Sequence, residues 1–292
     1  MSDLAKRWAV AAVGIPAVLA LLYLGGWPLV IPISSLAALG TVEWHRMVER
    51  GGIVTLRVVG ASGAAALVLA AAWRPTFEAF APFGVGIVAV MAGAALIGAL
   101  AARGPEDRPM AAIATTLFGG VYVGLPLAFV PLLHALPETH GWSPAGATWA
   151  GAIVVALPLA ATWLGDAVAL FTGTAWGKGG LAPSISPNKS WVGVWGGLAG
   201  AGVAATIWFF IAARRLPGLP VSGPVVAALV GVLLGIGAVA GDLAESLMKR
   251  DAGMKDSGTF FPGHGGVLDR LDALLFTLPA AYVALVALEA AS

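Results

Sequence analysis

Nine apolar stretches follow one another along this chain with little between them: 8–24, 27–42, 53–72, 77–102, 110–133, 147–171, 191–213, 223–248 and 271–290. About twenty apolar residues cross the hydrocarbon core of a bilayer as a helix, because each backbone N–H and C=O must find its partner within the segment where water is absent. Only 11% of the residues are charged and the mean hydropathy is +0.90, whereas soluble domains carry about a quarter charged residues. A chain of 292 residues cannot hide that much apolar surface from water in one core. It is expected to be all-α and polytopic, with about nine transmembrane helices.

The first two stretches are short and joined only by Gly25-Gly26, so they are either two spans or one hairpin that dips partway. Lys6 and Arg7 before an apolar run resemble a signal peptide. No small-residue cleavage pattern follows cleanly, and a second apolar stretch comes at once, so a retained first helix is expected. Residues 1–146 would hold the N-terminal spans and 147–292 a catalytic C-terminal region, in one integrated domain with polar loops at 172–190 and 249–269. The absence of cysteine excludes disulfides, thiolate catalysis and thiolate metal sites. A net charge of +1 says nothing about nucleic acid, since the basic residues are dispersed and form no stripe, and no nucleic-acid partner is expected.

Lysine and arginine favour the cytoplasmic side of a membrane. Nine spans with the N-terminus inside put Lys6, Arg7, Arg46, Arg50, Arg57, Arg103, Arg108, Lys178, Lys189, Lys249, Arg250, Lys255 and Arg270 on one side, and only Arg74, Arg214 and Arg215 on the other. Both polar loops then face the cytoplasm, which places the expected active site at the cytoplasmic ends of the C-terminal helices.

Within 245–272 the chain gathers the ionisable groups it avoids elsewhere. Asp242, Glu245, Ser246 and Lys249 recur at helical spacing and share one face. Asp269 and Asp272 lie one turn apart at the start of the last span. Between them Gly263, Gly265 and Gly266 flank His264 and allow a sharp turn whose backbone N–H groups approach a ligand closely. A helix, a reversing loop and a second helix would bring Asp242 toward Asp269. Facing carboxylates without cysteine suit a hard cation such as Mg²⁺. With Lys249, Arg250, Lys255 and Arg270 beside them, they form equipment for phosphoryl or nucleotidyl transfer. The bland alternative is a juxtamembrane loop whose lysines orient the protein and whose acids pair with them.

The stretch 246–272, SLMKRDAGMKDSGTFFPGHGGVLDRLD, resembles the signature of the phosphatidate cytidylyltransferases, S-x-x-K-R, K-D-x-x and P-G-H-G-G-x-x-D-R-x-D, at the family's spacing. The preceding GDLAES, 241–246, also matches. A second segment, 165–193, resembles the family's other cytoplasmic stretch at Asp166, Gly173, Gly177-Lys178 and Ser186-Pro187-Asn188-Lys189, and departs from it at Val168-Ala169-Leu170, Thr174 and Val192.

The resemblance implies a nucleotidyltransferase that converts CTP and phosphatidate to CDP-diacylglycerol and pyrophosphate in phospholipid biosynthesis. It implies Mg²⁺, with a second cation possible, a homodimer, and residence in the plasma (inner) membrane with membrane lipid as neighbour and substrate. Asp242 and Asp269 are expected as the principal metal ligands, with Asp256 and Asp272 as further candidates. Lys249, Arg250, Lys255 and Arg270 would bind phosphates, and His264 would contact a phosphate or position the loop. Ser186, Asn188 and Lys189 would contact one substrate, and Asp166, Lys178, Ser246, Gly265 and Gly266 complete the substrate-binding set. Phosphatidate is already ionised at neutral pH, so no general base is required. The same transfer to an archaeol-type ether-lipid phosphate stays open. An ion-coupled transporter using Asp242 and Asp166 is the reading from another class; it predicts broken helices in two related halves, not charges clustered near one end.

Overall fold

The structure is a computed structural model that describes residues 3–144, 146–260 and 265–292. Each of the nine apolar stretches is largely helical, the third only from Arg57 and the last broken into two helices: α1 (Asp3–Leu24), α2 (Gly26–Arg50), α3 (Arg57–Trp73), α4 (Phe77–Ala102), α5 (Pro109–Thr139), α6 (Thr148–Trp176), α7 (Trp191–Ala212), α8 (Pro224–Asp251), and the pair α9 (Leu268–Leu271) and α10 (Leu274–Ala290). Among the described residues seven helical segments are long and apolar enough to cross a bilayer: α2, α4, α5, α6, α7, α8, and α9 with α10. The apolar part of α1, Gly14–Leu24, and the 17-residue α3 are shorter. The protein is an all-α integral membrane protein.

Local chemistry sets the boundaries. Gly25 and Gly26 take φ of 60° and 50°, a left-handed backbone open to glycine at little cost, and this breaks the first two stretches into separate helices. Thr76 and Ser190 cap α4 and α7 by accepting the N–H of Ala79 at 3.3 Å and of Gly193 at 3.2 Å. The polar segment after the sixth stretch is less of a loop than its composition suggests. α6 continues to Trp176, and a two-stranded antiparallel hairpin follows, β1 (Gly180–Ala182) with β2 (Ser186–Ser190).

The chain forms two compact units. One contains residues 1–132 and 248–271, the other 133–247 and 272–292. Lipid tails are as apolar as leucine, so helices in a membrane gain little by hiding from lipid and associate through close packing of small residues. In the first unit a Cβ on Gly124 of α5 would lie 2.5 Å from Ala64 Cα of α3, and α2 ties to α5 through Trp44 Nε1, which donates to Thr115 O at 3.0 Å. In the second, a Cβ on Gly200 of α7 would lie 2.9 Å from Val168 Cβ of α6, and Trp208 Nε1 donates to Ile153 O at 2.6 Å. The hydroxyls of Thr162 and Thr277, 3.3 Å apart, join α6 to α10. These ties are short and made mostly to backbone carbonyls, which spares each donor from facing hydrocarbon alone.

Candidate active site

The first unit holds a buried polar knot built from the end of α8, the loop after it, α9 and α2. At the end of α8 the N–H of Met254 donates to Lys249 O at 2.7 Å, and Gly253, at φ 64°, turns the chain out of the helix. The loop then brings Ser257 into the interior while Lys255, Asp256 and Thr259 stay exposed. Asp269, the second residue of α9, receives four donors. Its Oδ1 accepts Lys249 Nζ at 2.7 Å. Its Oδ2 accepts the N–H of Ser257 at 2.8 Å, the Ser257 hydroxyl at 2.9 Å and the N–H of Gly266 at 2.7 Å. A buried carboxylate loses its hydration, at an effective cost of several kcal/mol, about 5. Hydrogen bonds to a charged group return about 1.5–3 kcal/mol each, so four are enough to keep it there.

The paired glycines of the loop have a spatial cause. A Cβ on Gly265, which sits at φ 83°, would lie 2.5 Å from Asp269 Oδ2. One on Gly266 would lie 2.3 Å from Ser257 Oγ and 2.4 Å from Glu43 Oε2. Glu43 is the member that sequence reasoning missed. It projects from α2, is buried, and its Oε2 accepts the N–H of Leu268 at 2.9 Å and lies 3.1 Å from the Ser257 hydroxyl. Its one visible signal was a carboxylate just past an apolar run, where it reads as the polar edge of a span. α2 instead runs on to Arg50, so Glu43 lies about 10 Å inside that end at 1.5 Å per residue.

The second unit holds a different pair of its own. Lys189 Nζ of β2 lies 2.5 Å from Asp242 Oδ2 of α8, with the side chains 24% and 40% exposed. The Ser246 hydroxyl, one helical turn along α8, donates to Asp242 Oδ1 at 3.3 Å, as the shared face read from the spacing requires. Along β2 Asn188 is exposed while Ser186 and Lys189 are half-buried, and the pairing with β1 shifts register between Gly180 and Ala182.

The remaining candidates are spread more widely. Asp166, Lys178 and Asn188 are exposed in the second unit. Arg250 is exposed and its Nη1 donates to Met254 O at 3.3 Å, and Arg270 is exposed on α9. Asp272 Oδ1 accepts the N–H of Ala273 at 2.7 Å. His264 lies outside the described residues.

Among the described residues no three acidic or histidine side chains gather around one point as a protein-built metal cage needs. Mg²⁺ does not need such a cage, because it is commonly held by one or two carboxylates together with substrate phosphates. Asp242 fits that use, being part-exposed with one lysine and one hydroxyl against it. The Oδ2 of Asp269 is committed to three donors and its Oδ1 to a lysine, an arrangement that suits holding the loop.

Known proteins resemble the chain over nearly its full length. The model of the Cytidylyltransferase family matches residues 5–288. A protein of Synechocystis named phosphatidate cytidylyltransferase is 34% identical over 299 aligned positions, covering 95% of this chain and 94% of that one. Phosphatidate cytidylyltransferase 5, chloroplastic, of Arabidopsis thaliana is 31% identical over 277 positions, 88% of this chain and 66% of its own. The phosphatidate cytidylyltransferase of Haemophilus influenzae is 45% identical over 118 positions, 40% of each chain. With a bundle of membrane helices carrying a lysine–aspartate pair on each of its polar segments, and a family match from residue 5 to residue 288, this chain belongs to the Cytidylyltransferase family.

Proposed function

We propose that the protein transfers the cytidylyl group of CTP to phosphatidate, giving CDP-diacylglycerol and pyrophosphate, at the cytoplasmic face of the plasma membrane. The observation that carries this reading is that each signature segment presents a lysine held by an aspartate, Lys249 by Asp269 and Lys189 by Asp242, in a chain otherwise made to sit among acyl chains. A phosphate oxygen of phosphatidate attacks the α-phosphorus of CTP, the bond from that phosphorus to the β-phosphate oxygen breaks, and the electron pair leaves on pyrophosphate. Both reactants are polyanions, so what the protein must supply is fixed positive charge and alignment.

Lys249 is the fixed charge. Its ammonium is set by Asp269, whose own position is set by the backbone N–H groups of Ser257 and Gly266. Arg250, Lys255 and Arg270, exposed nearby in the sequence, draw phosphate toward it. Lys189 holds a phosphate in exchange for Asp242, and Ser186 and Asn188 supply neutral hydrogen-bonding groups from the same strand, β2. Asp242 would hold Mg²⁺, which when bound neutralises phosphate charge and stabilises the departing pyrophosphate. The homodimer and the cytoplasmic orientation implied by the resemblance belong to the same reading, and the thirteen-to-three division of lysine and arginine supports the orientation.

Purified protein given CTP labelled at the α-phosphate tests the reaction directly. Label should pass to phosphatidate, stop with excess chelator and return with Mg²⁺. No labelled lipid, or label only on an archaeol-type ether-lipid phosphate, would overturn the substrate assignment. Full activity in chelator would remove the cation. Orientation is checked by single cysteines at Ser184 and Thr259, both exposed, which should react with an impermeant maleimide only from the cytoplasmic side.

A further inference from the structure

Glu43 is a buried carboxylate that the chemistry above does not use, on a helix far in sequence from either polar segment. It reaches Ser257 across 214 positions and Leu268 across 225. A carboxylate on an apolar membrane helix is expensive and is found where it has a task. Two glycines make room for this one. A Cβ on Gly258 would lie 2.3 Å from Glu43 Oε1, and one on Gly266 would lie 2.4 Å from Oε2. The loop is therefore shaped to admit Glu43, and Glu43 holds it at both ends, near Ser257 and at Leu268.

The hydroxyl of Ser257 makes the connection to Lys249. It lies within hydrogen-bond distance of Glu43 Oε2 and Asp269 Oδ2, at 3.1 and 2.9 Å, and it accepts the N–H of Asp269 at 3.2 Å. A hydroxyl has one proton to give, so the two carboxylates compete for it. With Glu43 in place, the loop is pinned from α2 by Ser257 and Leu268, and Asp269 remains seated on the backbone N–H groups of Ser257 and Gly266. Without it, the Leu268 N–H loses its acceptor, Ser257 keeps only Asp269, and the loop that orients Lys249 loses its tie to α2.

We propose that Glu43 is a positioning residue of the cytidylyl transfer, acting from α2 through Ser257 and Leu268 to fix the Asp269 carboxylate that aims Lys249. This rests on the function proposed above. The role is that of a hydrogen-bond acceptor, so shape matters and charge does not. Glu43→Gln can keep an oxygen on both donors. Glu43→Asp keeps the charge but withdraws it by one methylene.

The test is steady-state transfer by the full-length protein in detergent, with thermal stability measured on each variant. Glu43→Asp should lower kcat by about ten- to a hundredfold, the range for an unsatisfied buried donor, while KM for CTP moves by less than about threefold. Glu43→Gln should stay within about threefold of wild type in kcat. Glu43→Ala combined with Ser257→Ala should fall short of the product of the two single effects, because the two side chains share the Glu43–Ser257 contact. A folded Glu43→Asp protein with wild-type kcat, a Gln variant as impaired as Asp, or effects of Glu43→Ala and Ser257→Ala that multiply would each overturn the proposal. If wild-type protein transfers no label, the reading of the reaction fails, and amide hydrogen exchange decides the hold itself. Glu43→Ala should speed exchange at Ser257, Gly266 and Leu268, and unchanged exchange there overturns it.

Discussion

Lys249 and Lys189 each meet an aspartate, and the two pairs differ in nearly everything else. The Lys249–Asp269 pair is 12% and 4% exposed, and its carboxylate takes three more donors from the loop around it. The Lys189–Asp242 pair is 24% and 40% exposed, with one serine hydroxyl as company. Burial removes water as a competing partner, so the first pair can be broken only by leaving charge stranded in a low dielectric. The second can trade partners with solvent or with a phosphate at little cost, since exposed pairs are worth about 0–1 kcal/mol. The same two residue types thus serve as a fixed frame in one unit and as an exchangeable contact in the other.

Replacing the aspartate of each pair by asparagine should separate the two most sharply. Asp269→Asn leaves Lys249 without its counter-charge in a buried setting, where breaking a pair costs about 3–5 kcal/mol. The expected result is a large fall in thermal or denaturant stability together with loss of CTP incorporation. A variant as stable as wild type would show that the knot around Asp269 is no frame.

Asp242→Asn should do the reverse. Stability should change by less than about 1 kcal/mol, while transfer falls by about a hundred- to a thousandfold, the scale for losing a charge-stabilising group at the reacting phosphates. The Mg²⁺ concentration needed for half-maximal rate should also rise. Activity within about tenfold of wild type would remove Asp242 from the phosphate-handling machinery, and with it the contrast.

The smallest effect is expected at Lys189. Lys189→Met removes a part-exposed cation, so it should raise KM for CTP several-fold and flatten its dependence on salt, with little change in stability. A KM that stays at the wild-type value and keeps its salt dependence would mean that Lys189 only partners Asp242.

The helices were legible because their cause is local. Each apolar stretch must close its own hydrogen bonds in lipid, so hydropathy along 77–102 or 223–248 announces a span without knowledge of any neighbour. The lengths were less legible. Charges and small polar residues at a membrane surface do not stop a helix, which is why α2 runs past Val42 to Arg50 and α6 past Phe171 to Trp176. The hairpin at 180–190 was hidden for a related reason: β pairing in a short Gly, Pro and Ser-rich segment depends on a partner strand more than on propensity.

Of the polar residues, spacing placed Asp242 and Ser246 together, because a helix repeats every 3.6 residues and both lie on α8. The resemblance of 246–272 to a known signature marked Lys249 and Asp269, although it could not say what stands around them. That was decided by tertiary structure alone. Glu43 enters the knot from a helix more than two hundred positions away, and no periodicity in the sequence links the two. A buried carboxylate is defined by the donors that converge on it, and several of those here, the N–H groups of Ser257, Gly266 and Leu268, are groups that every residue but proline possesses. Sequence by itself therefore determined the solvent this protein folds in, its helices and its family. Which carboxylate is locked and which is free to exchange was fixed only by how the chain folds back on itself, because burial and hydrogen-bond geometry belong to the assembled fold.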